Sequence, residues 1–69
     1  MKYVLPERIK KLREEKNLTL RQLAKMTGFS HAAVCRWENG TQIPNVRTLI
    51  VFAQFFNVST DYLLGYEDN

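Results

Sequence analysis

The sequence predicts an all-α domain of five short helices, and three observations carry that prediction. Apolar residues recur three and four positions apart, and no stretch alternates convincingly as a strand would. Helix punctuation is dense: Thr19, Ser30, Asn45 and Ser59 stand where N-caps belong, and Gly28, Asn39-Gly40, Asn57 and Gly65 where helices stop. Every connection is short, with no repeat, low-complexity segment or long linker, as in a compact helical domain.

The first helix begins near Pro6, which suits an early helical position because its missing N–H has no partner there anyway. Leu5, Ile9 and Leu12 recur at helical spacing, and Lys16-Asn17 ends the helix. Glu7/Lys11 and Lys10/Glu14 are i,i+4 pairs on its wet side, each worth ~0.2–0.5 kcal/mol. Thr19 caps the second helix, and Gln22 three residues on completes a capping box. Leu23, Ala24 and Met26 are placed inward. Gly28 supplies the left-handed residue after the last turn, and Ser30 caps a third helix that runs to about Glu38. Thr41-Gln42-Ile43-Pro44 is a loop. Asn45 caps a fourth helix through about Phe56, and Ser59 a short fifth one through about Leu64. The domain so read spans residues 1–65, with residues 66–69 as a frayed tail.

Sixty-nine residues make one domain at most, with a core that supplies roughly 3–5 kcal/mol. One cysteine makes no internal disulfide, and no Cys/His set has zinc-site spacing, so neither metal nor other cofactor is expected. No apolar run approaches the ~18 residues of a membrane span, and the N-terminus lacks a signal-peptide core, so a cytoplasmic setting is expected. The net charge of +3 hides an asymmetry: residues 1–36 carry +6 and residues 37–69 carry −3. A basic half suggests a side that faces a polyanion; a solvated, charged first helix is the plainer explanation. Enzyme chemistry finds no foothold, because there is one histidine, no phosphate-cradling glycine loop and no paired acids in a cleft. No small-molecule ligand is evident.

Residues 18–40 read as two short helices joined by a glycine turn, the build of a helix-turn-helix whose second helix fits the DNA major groove. In the phase of residues 31–38, Val34 and Trp37 face the core. The opposite side then shows His31, Ala32, Cys35 and Arg36. Arginine bonds guanine O6 and N7 as a fork, alanine packs on a thymine methyl, and histidine donates or accepts at a base edge or phosphate. The competing reading is a structural helix-turn-helix whose exposed residues contact nothing. His31 and Cys35 are two ligands short of a zinc site. Oxidation or alkylation of Cys35 would block the groove; a thiol that only fills space is the alternative.

The run Ile9, Arg13, Leu18-Thr19, Leu23-Ala24, Gly28-Phe29-Ser30, Val34-Cys35-Arg36-Trp37-Glu38-Asn39-Gly40, Pro44, Leu49, Ala53, Val58-Ser59 and Leu63 resembles the Cro/C1-type (XRE-family) helix-turn-helix of phage and bacterial repressors. It covers roughly residues 4–65. The resemblance implies a lambda-repressor-like five-helix fold and sequence-specific binding of double-stranded DNA at a palindromic operator, in a bacterial nucleoid setting. It implies base reading by His31, Ala32 and Arg36, with Cys35 beside them. It implies phosphate contacts at Asn39 and Thr41, at Ala33, and at the start of the second helix, Leu20 and Arg21. Leu20 departs from the pattern, since a glutamine that touches phosphate is common there; Arg21 or backbone N–H groups are left to do that work. It also implies an ion pair between Arg13 and Glu38, against the simpler reading of two unrelated surface charges.

The fourth helix is more apolar than one inward stripe requires. Leu49, Phe52, Ala53 and Phe56 form that stripe, leaving Ile50, Val51 and Phe55 on other faces, with Tyr62, Leu64 and Tyr66 nearby. A twofold homodimer contact would use them and would suit two half-sites; a wider core would equally absorb them. A rival function follows: a protein-interaction module of antitoxin or antirepressor type that binds through the fourth helix. An RNA-binding role is disfavoured, because A-form RNA hides its major groove from a helix.

Overall fold

A computed structural model of the chain describes residues 3–68. Five helices follow in order: α1 Leu5–Glu15, α2 Leu20–Thr27, α3 His31–Asn39, α4 Val46–Phe56 and α5 Thr60–Leu64. The starts of α2 to α5 are made by side chains, while α1 begins at Val4 with no side-chain cap and with Pro6 in its first turn. Thr19, Ser30, Asn45 and Ser59 each accept the N–H three residues on, which satisfies a donor that no carbonyl a turn earlier can reach. At α2 the box closes, with Thr19 N–H donating to Gln22 Oε1 at 2.8 Å. The stops are left-handed residues: Gly28 ends α2 at φ +81°, and Asn57 takes the same role after α4 at φ +56°.

None of these helices is long enough to persist alone in water, so packing must hold them. Leu5 and Ile9 of α1, Leu23 and Ala24 of α2, Val34 and Trp37 of α3, Phe52, Ala53 and Phe56 of α4, and Leu63 of α5 form one core. Phe52 lies at its centre, fully buried. The Trp37 ring meets Phe29 and Phe52 edge to face, with centroids 5.0 and 5.6 Å away. Phe29 belongs to the turn between α2 and α3, so this aromatic triad ties the turn, α3 and α4 together.

Three expectations are corrected. Met26 is 60% exposed, not inward. Thr27 takes the inward place beside Leu23 and bonds its carbonyl at 2.7 Å. Phe55 and Tyr62 pack against the core edge, which absorbs part of the apolar surplus of α4. Phe55 stands edge-on to Phe56 with Lys16 above its face, and the Arg8 guanidinium lies 4.3 Å over the Tyr62 ring. The tail is tied down through Glu67: Arg8 donates to the Tyr62 and Glu67 carbonyls, and Ser59 Oγ donates to the Glu67 carboxylate. A long guanidinium on α1 supplies donors that the local sequence of the tail does not reveal. Asn69 lies outside the described residues, as do Met1 and Lys2. Among the described residues, no helix is long and apolar enough to cross a membrane.

Candidate nucleic-acid interface

The geometry starts from one largely buried ion pair. Arg13 Nε donates to Glu38 Oε2 at 2.7 Å, and a second guanidinium nitrogen donates to Oε1 at 3.1 Å. A third donates to the Leu18 carbonyl at 2.7 Å. One side chain of α1 thereby grips α3 and the turn that leads into α2. The two side chains are only 12% and 7% exposed. Hydrogen bonding to Glu38 raises the Arg13 pKa above its ordinary value, against the opposing effect of burial. The partner carboxylate therefore holds the guanidinium in its charged form.

With α3 held in this way, its core residues Val34 and Trp37 fix which face looks out. Ala32, Arg36 and Asn39 are exposed and form the centre of that face. His31 and Cys35 lie at its edge and are half-buried. Cys35 lines a shallow cleft of about 220 Å³ with Lys10, Arg13, Leu20, Glu38 and Asn39. The thiol thus points toward α1 and the start of α2. Ala33 has nothing to offer a phosphate: its methyl packs against the core, and its N–H is taken by Ser30 Oγ at 3.1 Å.

The start of α2 gives the Leu20 departure a physical answer. The Leu20 side chain packs against the core and carries no polar atom. Its backbone N–H and that of Arg21 nevertheless sit in the first turn of a helix, where no carbonyl lies a turn earlier to receive them. Thr19 and Gln22 are already occupied with each other. Two outward donors and a positive helix end remain, next to the exposed Arg21 side chain.

The loop after α3 is wound back on the helix. Asn39 Oδ1 accepts the Thr41 N–H at 3.0 Å and the Thr41 hydroxyl at 2.6 Å. The Asn39 amide nitrogen carries the donors on that side chain. Arg36 Nε donates to Gln42 Oε1 at 2.7 Å. Gln42 is a functional candidate that no local pattern marks. Its only signal was its position six residues beyond Arg36, past a glycine whose turn direction is not written in the pattern.

Of the apolar set around α4 and α5, Ile50 and Tyr66 are exposed, at 43% and 67%. Val51 and Leu64 are half-buried. Ile43 and Val46, outside that set, are 74% and 72% exposed.

The helix-turn-helix family pattern matches residues 9–63. The chain belongs to the helix-turn-helix family. Among its relatives, the HTH-type transcriptional activator BcrR of Enterococcus faecalis is 40% identical over 62 residues, 90% of this chain and 30% of that protein. Repressor protein C2 of Salmonella phage P22 is 33% identical over 61 residues, 88% of this chain and 28% of that protein. The crystal structure of the P22 c2 repressor with a synthetic operator superposes with a TM-score of 0.85 at 30% identity, covering 97% of this chain and 100% of that one. The helix-turn-helix chain thus spans less than a third of the length of these two curated relatives, while matching the whole of the solved repressor chain.

Proposed function

We propose that this helix-turn-helix is the sequence-specific double-stranded DNA-binding part of a bacterial or phage transcriptional regulator, acting as a repressor. The observation that carries the proposal is the outward face of α3. Ala32, Arg36 and Asn39 are solvent-exposed on a helix whose tilt is set by the Arg13–Glu38 pair. The likeness to an operator-bound repressor supports placing that face in a major groove.

In this reading Arg36 reads a guanine, Ala32 packs on a thymine methyl, and His31 contacts a base edge or the adjacent phosphate from the helix start. Cys35 borders the base-reading row from the cleft side. Asn39 and Thr41 approach one phosphate through the Asn39 amide and the loop. Leu20 N–H, Arg21 N–H and the Arg21 side chain approach another. Phosphate contacts position the domain, and the α3 side chains specify the sequence. A homodimer on a palindromic operator would use Ile50, Val51, Leu64 and Tyr66, with Phe55 and Tyr62 buttressing them from the core edge.

The test is selection of bound sites from a random duplex library. A symmetric enriched motif, with affinity that falls steeply as salt rises, is the expected result. Absence of enrichment would move the function to protein recognition through the exposed apolar residues of the α3–α4 loop and α4. Sedimentation of the wild type and of Ile50→Asp tests the dimer: a wild type that stays monomeric at high micromolar concentration removes it.

A further inference from the structure

The loop after α3 does more than end the helix: we propose that Gln42 is a positioning residue that dictates how Arg36 meets its base. The proposal rests on the reading of α3 as the base-reading helix and adds a specificity determinant to it.

Both the backbone and the side chain of Gln42 are bound to the residue it would position. The N–H groups of Thr41 and Gln42 converge on the Arg36 carbonyl, at 3.0 and 3.3 Å. Asn39 Oδ1 holds Thr41 from below by two hydrogen bonds, and Gly40 at φ +80° makes the reversal that brings the chain back. Residue 42 is therefore fixed relative to residue 36 before its side chain is considered. Its side-chain oxygen then takes the Arg36 Nε–H at 2.7 Å.

That bond spends one particular donor. A guanidinium has five N–H groups: one on Nε and two on each terminal nitrogen. With Nε occupied, the side-on fork, which pairs Nε with one terminal nitrogen, is closed. The end-on fork, made by the two terminal nitrogens, stays open and matches the O6 and N7 acceptors of guanine. Both side chains are solvent-exposed, so the bond adds little to folding stability. Its effect lies in ordering a long, flexible side chain before DNA arrives. Immobilising such a side chain in advance is worth about a 3- to 10-fold gain at the contact it makes.

The probe is the duplex most enriched by the wild-type chain from a random library, together with its single-pair replacements. The pair read by Arg36 is the G·C whose preference Arg36→Ala abolishes. Gln42→Ala is expected to lower the preference for that G·C over A·T by about 3- to 10-fold, with the salt dependence of binding unchanged. The double variant should match Arg36→Ala alone. Gln42→Glu keeps an acceptor for Nε, so it should keep the base preference while weakening all duplexes through its charge. In the free protein, the Arg36 Nε–H should exchange slowly in the wild type and in Gln42→Glu, and rapidly in Gln42→Ala. Full base preference in Gln42→Ala, beside a loss in Arg36→Ala, overturns the positioning role and leaves the α3 reading intact. Uniform weakening of all duplexes by Gln42→Ala overturns it too, since that marks a phosphate contact. An unchanged preference in Arg36→Ala, or no enriched duplex at all, overturns the α3 reading and this inference with it.

Discussion

Truncating Arg13 removes three hydrogen bonds at once. Arg13→Ala leaves the Glu38 carboxylate, 93% of its side chain shielded from water, without a counter-ion, and leaves the Leu18 carbonyl without its donor. Breaking a buried pair from one side costs about 3–5 kcal/mol. Here both side chains keep a solvent-facing edge, so water relieves part of that, and about 2–3 kcal/mol is the expected loss. Set against a total of roughly 3–5 kcal/mol for a core of this size, the loss is most of the domain's stability. At about 4–8 °C per kcal/mol for a chain this short, the thermal midpoint should fall by roughly 10–20 °C, read by circular dichroism. A companion variant separates stability from geometry. Arg13→Met with Glu38→Leu replaces both charges by apolar groups, which is often close to neutral for stability. DNA affinity should nevertheless fall in that variant, because the angle between α1 and α3 has lost its fork. A midpoint within about 3 °C of wild type in Arg13→Ala, with unchanged DNA affinity, would refute the reasoning. Full affinity in the double variant would refute the orienting role alone.

Three further outcomes follow from the packing. Phe52→Ala should cost about 3–5 kcal/mol and leave the chain largely unfolded at 25 °C, since Phe52 is fully buried in the core against the Phe29, Trp37 and Phe56 rings; a native far-ultraviolet spectrum would contradict this. Gly28→Ala should cost only ~1–2 kcal/mol, because the added Cβ meets nothing within 4 Å and only the left-handed backbone resists it; urea unfolding showing a much larger loss would reveal a contact the fold does not display. Arg8→Ala should speed amide exchange at Tyr66 and Glu67 and lower stability by about 1–2 kcal/mol; unchanged exchange there would show that the guanidinium does not hold the tail.

What was legible in the sequence was local. An N-cap is a contact between a residue and the amide three positions on, so Thr19, Ser30, Asn45 and Ser59 could be read without knowing the fold. Inward faces were legible where two or more apolar residues agreed on a direction, as Val34 and Trp37 do. Met26 was misplaced because a helix of eight residues gives a coarse direction, and Thr27 stands closer to the axis set by Leu20, Leu23 and Ala24. Phe55 and Tyr62, for which the pattern leaves a dimer contact and a wider core both open, pack against the core because aromatic side chains reach it from the flank of a helix. Of the candidate interface, α3 and the exposed Ala32 and Arg36 were legible, whereas His31 and Cys35 lie half-buried at the edge of that face. The sequence did not reveal Gln42 or the grip of Arg8 on Glu67, which depend on where a loop turns and on contacts across 59 positions of chain.

The aromatic triad gives this protein a built-in optical reporter. Trp37 is the single tryptophan, 6% exposed, held between a ring from the turn and a ring from α4. Its emission should be that of a shielded indole and should shift to the red whenever α3 swings out of its seat. In the proposed complex, DNA on the opposite face of the same helix would bring no base within contact of the ring. Fluorescence will therefore stay quiet when the domain binds as a rigid body and will move only if binding re-seats α3, so one cuvette measurement distinguishes recognition by a finished surface from recognition that remakes it.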